Sequence, residues 1–191
     1  MVIDKKEAKE EFEGVHLRHG NISLVLDSYD NLFSDFDPRP YSEKGLSDDF
    51  LIECRKALRQ REDITELRLL IPASKRHGQD EPVIKKRLKE HFRKHFILEQ
   101  KEIGKIKKEG MVWFFIGSVI LMISTFLYEY EGPINPILKF AWDFLVIISQ
   151  PAGWFTMWEG LNKIFVYPQD HSPDYTFYKK MSEANIYFLN Y

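Results

Sequence analysis

Cysteine is almost missing from this chain. Cys54 stands alone among 191 residues, so no internal disulfide can form and nothing marks an oxidising compartment. A surplus of charge is missing too: 27 Lys and Arg stand against 29 Asp and Glu, a net of −2. That balance excludes a basic nucleic-acid-binding domain. The chain has no glycine-rich phosphate loop, no G-x-S-x-G, no H-E-x-x-H and no cysteine pair. The common signatures of nucleotide, serine-hydrolase and zinc chemistry are therefore lacking, and neither an enzyme activity nor a cofactor is expected. The N-terminus, MVIDKKEAKEEFEG, is charged and has no apolar core of the kind a cleavable signal peptide needs.

The most informative absence is local. From Met111 to Tyr128 eighteen residues pass without a charge, and fourteen of them are apolar. As a helix this run would be about 27 Å long, close to the ~30 Å hydrocarbon core of a bilayer. Its polar residues are Ser118, Ser124 and Thr125, whose hydroxyls can bond back to helix carbonyls. A second segment, Ile134 to Val166, is less clean, although its strongest part, Phe140 to Trp158, carries a single charge at Asp143. It is long enough to return across the membrane. Lys101, Lys105, Lys107 and Lys108 lie within ten residues of the first span, whereas the connection Glu129 to Pro136 has two glutamates and no basic residue. The positive-inside rule then places both termini in the cytosol and the connection outside, in a multi-pass protein of the cell membrane. Trp113, Tyr128, Tyr130, Trp154 and Trp158 mark the span ends as an interfacial belt would.

Charge also divides the rest. Residues 1–63 hold ten basic and fifteen acidic side chains, residues 75–108 twelve basic and five acidic. The basic block adjoins the membrane, where anionic lipid attracts Lys and Arg. It reads first as a topology determinant with a solvated helix face, and second as a lipid or nucleotide site.

Along the chain, Val15, Leu17, Ile22, Leu24 and Leu26 alternate around His19-Gly20-Asn21, which suggests a short hairpin or an interrupted strand. An acidic loop around Asp35-Phe36-Asp37-Pro38-Arg39-Pro40 follows. It lacks the spacing and glycine of a calcium loop. Ser47 before Asp48 and Asp49 opens a helix whose apolar face is Phe50, Leu51, Cys54, Ala57 and Leu58; Cys54 in that face is a packing thiol. Leu67, Leu69 and Ile71 alternate as one face of a strand that Pro72 ends. Asp80 and Pro82 start a long helical pattern through Ile84, Leu88, Phe92, Phe96, Ile103 and Ile106. It predicts one helix, or two collinear ones hinged near Gly104 or Gly110, running on into the first span. Ser172-Pro173-Asp174 starts a short helix, and Ile186 to Tyr191 is a strand. An unpaired apolar strand is an aggregation hazard, so it is expected to join the sheet of the N-terminal domain.

The candidate site residues fall in two places. His91, His95 and Glu99 are spaced i, i+4, i+8. Three ligands spread over roughly 12 Å of one helix cannot meet at one ion, so at most His91 and His95 could share a metal, and amphipathic packing beside Phe92 and Phe96 is the simpler reading. In the second span, Lys139 with Asp143 and Glu159 with Lys163 are spaced i, i+4, so each pair can close within its helix. Continuing from Lys139 and Asp143, Gln150 lies on the same side and makes a polar stripe, Pro151 frees the carbonyl of Ile147, and Gly153 and Gly160 permit close backbone approach. The stripe either glues helices together or lines a pore, and glue is favoured. Two helices bury little between themselves, so a homo-oligomer or a partner subunit is expected either way.

The run GWFTMWEGLNKIFV (Gly153 to Val166) followed by FYKKMSEANIYF (Phe177 to Phe188) resembles the closing segment of a family of small two-helix prokaryotic membrane proteins. In these a Gly-Trp…Trp-Glu helix end precedes a short cytosolic tail ending in a strand. The resemblance implies a cytosolic C-terminus and carries no activity or site. The expected whole is α+β: a cytosolic sheet-and-helix domain (1–108), a two-helix transmembrane hairpin (109–166), and a tail (167–191) whose strand returns to the sheet. The expected function is a non-enzymatic membrane module that contacts lipids, oligomerises or docks partners, and recognises something in the cytosol. The alternative is a ligand-gated pore or membrane-perturbing effector.

Overall fold

The computed structural model describes residues 21–59, 64–170 and 172–191, with the backbone alone at Asp170 and Ser172. The expected pairing through Val15 and Leu17 lies outside the described residues. The chain divides into two compact units, Met1–Ile97 with Tyr175–Tyr191, and Leu98–Asp174.

The first unit is built on three parallel strands, β1 (Asn21–Val25), β2 (Glu66–Ile71) and β3 (Asn185–Asn190), in the order β1-β2-β3. Leu24 lies beside Leu69, and Leu69 beside Phe188. The terminal strand thus joins the sheet as its sequence suggested. It pairs with a strand 119 positions earlier, since Glu66 is in register with Asn185. Parallel strands need long crossovers. The first contains a 3-10 turn (Tyr29–Leu32) and helix α1 (Asp48–Arg59). The second contains a 3-10 turn (Ala73–Lys75), α2 (Glu81–Glu129), α3 (Pro136–Phe165), the single turn α4 (Tyr167–Asp170) and α5 (Ser172–Glu183).

The core forms because alternation along each strand sends Ile22, Leu67, Leu69, Ile71, Ile186 and Phe188 to one side. There they meet Phe50 and Cys54 of α1, Ile84, Leu88 and Phe92 of α2, and Phe177 and Met181 of α5. Leu70, pointing the other way, is also buried, as befits a central strand. The cap signals are used as written: Ser47 O accepts the first bond of α1 from Leu51 N, and Asp80 O accepts from Ile84 N at the start of α2. Arg76 ties the turn after β2 to both neighbours, pairing with Glu81 and donating to the Asn190 side chain at 2.7 Å. The Arg76 guanidinium holds the Glu81 carboxyl below its ordinary range.

In the second unit α2 runs on without a break, so neither Gly104 nor Gly110 is a hinge. The two backbones approach closely at glycines: Gly110 and Gly160 lie against each other, and Gly117 lies against the backbone of Gly153 and Met157. The pairing runs antiparallel, and its buried residues recur every seventh position: Gly110, Gly117 and Ser124 on α2, Val146, Gly153 and Gly160 on α3. A seven-residue repeat keeps one stripe of each helix on the other. Near the turn, Ser124 Oγ lies 2.6 Å from Ser149 Oγ. The connection closes on Gly132, whose φ of +74° suits glycine and whose bare Cα fits under Trp142. Asn135 then caps α3 by accepting from Ile137 N and Leu138 N, with Pro136 in the first turn.

Candidate functional site

Everything not used to join α2 to α3 is left facing outward. Phe115, Val119, Met122 and Phe126 on α2, and Phe144, Leu145, Ile147 and Phe155 on α3, are each more than half exposed. Such an apolar surface is far from the usual skin of a soluble protein. Among the described residues one helix, Glu81–Glu129, is long and apolar enough to cross a membrane, and only 17% of its most apolar stretch is buried. A buried core helix would show the reverse. Helix α3, interrupted by Lys139, Asp143 and Gln150, does not reach the same apolarity. The hydroxyls inside these helices turn to their own backbone as expected. Ser118, Ser124 and Thr125 donate to the carbonyls of Phe114, Ile120 and Leu121 at 2.8–2.9 Å.

Against this apolar background the polar side chains of α3 sort into two groups. At 3.6 residues per turn, Lys139, Asp143, Gln150 and Trp154 fall within about 60° of one another. All four are exposed, about a quarter-turn from the stripe that α2 covers. Ile147, in the same row, is 69% exposed. Glu159 and Lys163 point elsewhere, about 160° from Asp143. The expected pairs within α3 do not close. Among the described residues the ion pairs of this unit are Lys105–Glu109 at 4.0 Å and Lys163–Glu109 at 3.5 Å. Lys163 reaches across to α2 instead of along its own helix to Glu159. Asp143 stands in the apolar part of α3 with no ion pair to Lys139.

Glu109 as the partner of Lys163, and the Ser124–Ser149 contact, were not read from the sequence. The recurrence of Gly110, Gly117 and Ser124 at every seventh position, matched by Gly153 and Gly160, was the available signal. Lys101, Lys105, Lys107 and Lys108 are all exposed, which leaves their ammonium groups able to reach an anionic surface.

The second candidate, the histidine pair, sits in the first unit. The His91 and His95 rings lie 4.4 Å apart, and His95 stacks on Tyr178 of α5 at 5.0 Å. His91 Nε2 is buried without a hydrogen-bond partner. Burial, with lesser contributions from the neighbouring His95, Arg87 and Lys94 charges, pushes the His91 imidazole down to about 4. Among the described residues no three potential ligands come together around a metal, and Glu99 does not join the pair. The arrangement is an aromatic contact that docks α5 on α2. Cys54 is likewise a packing group: it is fully buried, and burial raises its thiol far above the ordinary range.

No family model matches the chain, and no curated protein or solved structure does either. What the site can do must come from its own chemistry. The outer row of α3 offers one cation, one anion, one amide and an indole.

Proposed function

We propose that the protein is a non-enzymatic, two-pass membrane module. Its sheet domain lies in the cytosol and recognises a partner there, and its helix hairpin assembles with other subunits in the bilayer. One observation carries the reading: β2 and β3 are hydrogen-bonded neighbours, so both stand on the same side of any membrane. The chain between them must then cross an even number of times. If α2 crosses, α3 is the helix that brings the chain back, because its 30 residues span roughly 45 Å, more than a hydrocarbon core needs. The modest apolarity of α3 is the cost of its polar row. A single acidic side chain facing lipid would cost about 2.5–3.5 kcal/mol on insertion scales, a reason for that row to be covered by protein.

Orientation follows from charge. Lys101, Lys105, Lys107 and Lys108 lie at the domain end of the first span, and the connection carries Glu129 and Glu131 with no basic residue, which favours a cytosolic domain. The same lysines make anionic lipid head groups natural partners. The likeness of the Gly153–Val166 run to small two-helix prokaryotic membrane proteins agrees with this topology and adds no activity.

Topology mapping tests the proposal in a Cys54→Ser background. Glu131→Cys should react with an impermeant maleimide on intact cells, and Tyr187→Cys only after lysis. Extraction of the protein by alkaline carbonate, or labelling of both positions from one side without lysis, would refute it. A pore is the competing use of the polar row, and loss of ion flux in Asp143→Asn would favour it.

A further inference from the structure

We propose that the exposed row of α3 is the docking surface for a second copy of this chain, lying parallel and in register. Lys139 of each copy then pairs with Asp143 of the other, and the two Gln150 amides bond to each other. The inference rests on the membrane reading and deepens it by naming the partner.

Three features of the row select a second copy over an unrelated protein. The first is self-complementarity. Lys139 and Asp143 are one turn apart on one face, both exposed, and not joined to each other. Each charge needs an opposite one within reach, and a parallel copy brings it one turn away, with the same two residues. Gln150 has a donor and an acceptor on one amide, so its natural counterpart is another amide.

The second feature is direction. Every copy of a chain is inserted with the same charges on the same side, so copies meet parallel, and equal positions face each other along the shared axis. In such a pair, a residue also reaches the one four positions further on in its neighbour, which is the step from Lys139 to Asp143.

The third feature is the seam. Asp143, Ile147, Gln150 and Trp154 are spaced 4, 3 and 4, the alternation that lets two helices wind together. The face of α3 through Val146, Gly153 and Gly160 is already occupied by α2, and among the exposed rows this one alone carries Asp143 and Gln150 together. Ile147, 69% exposed, supplies the apolar contact between the polar layers, and Trp154, 51% exposed, supplies it beyond Gln150. Trp154 stacks on Trp158, with ring centroids 6.3 Å apart.

Disulfide trapping in native membranes tests the pairing. In full-length Cys54→Ser protein, Ile147→Cys places a thiol in the seam, and Ile148→Cys places one outside it. Oxidation should give a product of twice the chain mass at Ile147→Cys, at least tenfold more than at Ile148→Cys. Adding Asp143→Lys should cut that yield at least tenfold, and the exchange Lys139→Asp with Asp143→Lys should restore it. Equal yields at the two cysteines, a product whose mass includes a different protein, or a double exchange that stays uncoupled would each overturn the pairing. Alkaline carbonate separates the two levels of failure. Protein kept in the washed membrane but lacking the Ile147→Cys product refutes the second copy alone, whereas protein released by the wash refutes the membrane reading and the pairing with it.

Discussion

Gly117 and Gly104 both sit inside α2, thirteen residues apart, and replacing each with alanine should have opposite effects. A Cβ at Gly104 meets nothing within 4 Å. Alanine there removes backbone freedom from the unfolded chain and should stabilise by about 0.5–1 kcal/mol. A Cβ at Gly117 would lie 2.3 Å from Met157 N and 2.7 Å from Gly153 O. Both are backbone atoms of the facing helix and cannot swing aside. Ordinary contact begins at 3.4 Å, so the helices would have to part by about 1 Å, and a gap of that size forfeits a quarter to a half of each dispersion contact it opens. Overpacking of this kind costs about 1–3 kcal/mol, more than the gain in helix propensity. The separation would also pull apart Ser124 and Ser149, whose hydroxyls touch. A Ser124→Cys, Ser149→Cys pair in a Cys54→Ser background therefore makes a reporter. It should form an intramolecular disulfide readily, more slowly with Gly117→Ala and unchanged with Gly104→Ala. Thermal unfolding in detergent should rank Gly104→Ala at or above the parent and Gly117→Ala below it. If Gly117→Ala melted with or above Gly104→Ala, the close crossing of α2 and α3 would be wrong.

Two further outcomes concern the sheet domain. Phe188, 4% exposed and edge-on to Tyr29 at 5.4 Å, anchors β3 in the core, so Phe188→Ala should cost about 3–5 kcal/mol and render β3 cleavable in limited proteolysis; an unchanged melting temperature would show that β3 adds little. His91 is held neutral, its folded value of about 4 lying below the ordinary 6.5, so between these values the unfolded chain binds more protons and stability falls as pH falls. After discounting for solvent around the ring, the loss from pH 6.5 to 4 should be on the order of 1–2 kcal/mol. His91→Phe should flatten that part of a pH–melting curve, and an unaltered slope would assign the effect to other groups.

Local signals in the sequence were read well wherever one residue type has one meaning. Ser47, Asp80, Pro82 and Pro72 start and stop elements where capping chemistry says they should, and alternation at Leu67, Leu69 and Ile71 locates β2. The placement of β3 in the sheet came from a different argument, that an apolar terminal strand must pair. What failed were inferences that depend on what lies across a gap. Gly110 in isolation is a weak point in a helix; opposite Gly160 it is the place where two backbones touch. Spacing i, i+4 says that Lys163 can reach Glu159, but it cannot register that Glu109 of another helix competes for the same ammonium. The same blindness applies to the parallel sense of the sheet, since direction is a property of connections and not of strands. For the site, Lys139, Asp143 and Gln150 were legible as one row from their spacing alone.

The partner of β2 is made late. Between Glu66 and Asn185 the ribosome adds 119 residues, about 6–24 s of synthesis at 5–20 residues per second. For that interval one edge of β2 is an open template beside Leu69 and Ile71, the kind of edge that invites wrong pairings. Both long helices are made during the wait. The sheet can close only after α3 has followed α2, and, on the membrane reading, only if α3 has carried the chain back to the starting side. A finished sheet is then a record of correct insertion, and a hairpin threaded the wrong way would leave behind a two-stranded domain with an exposed edge, ready for proteolysis.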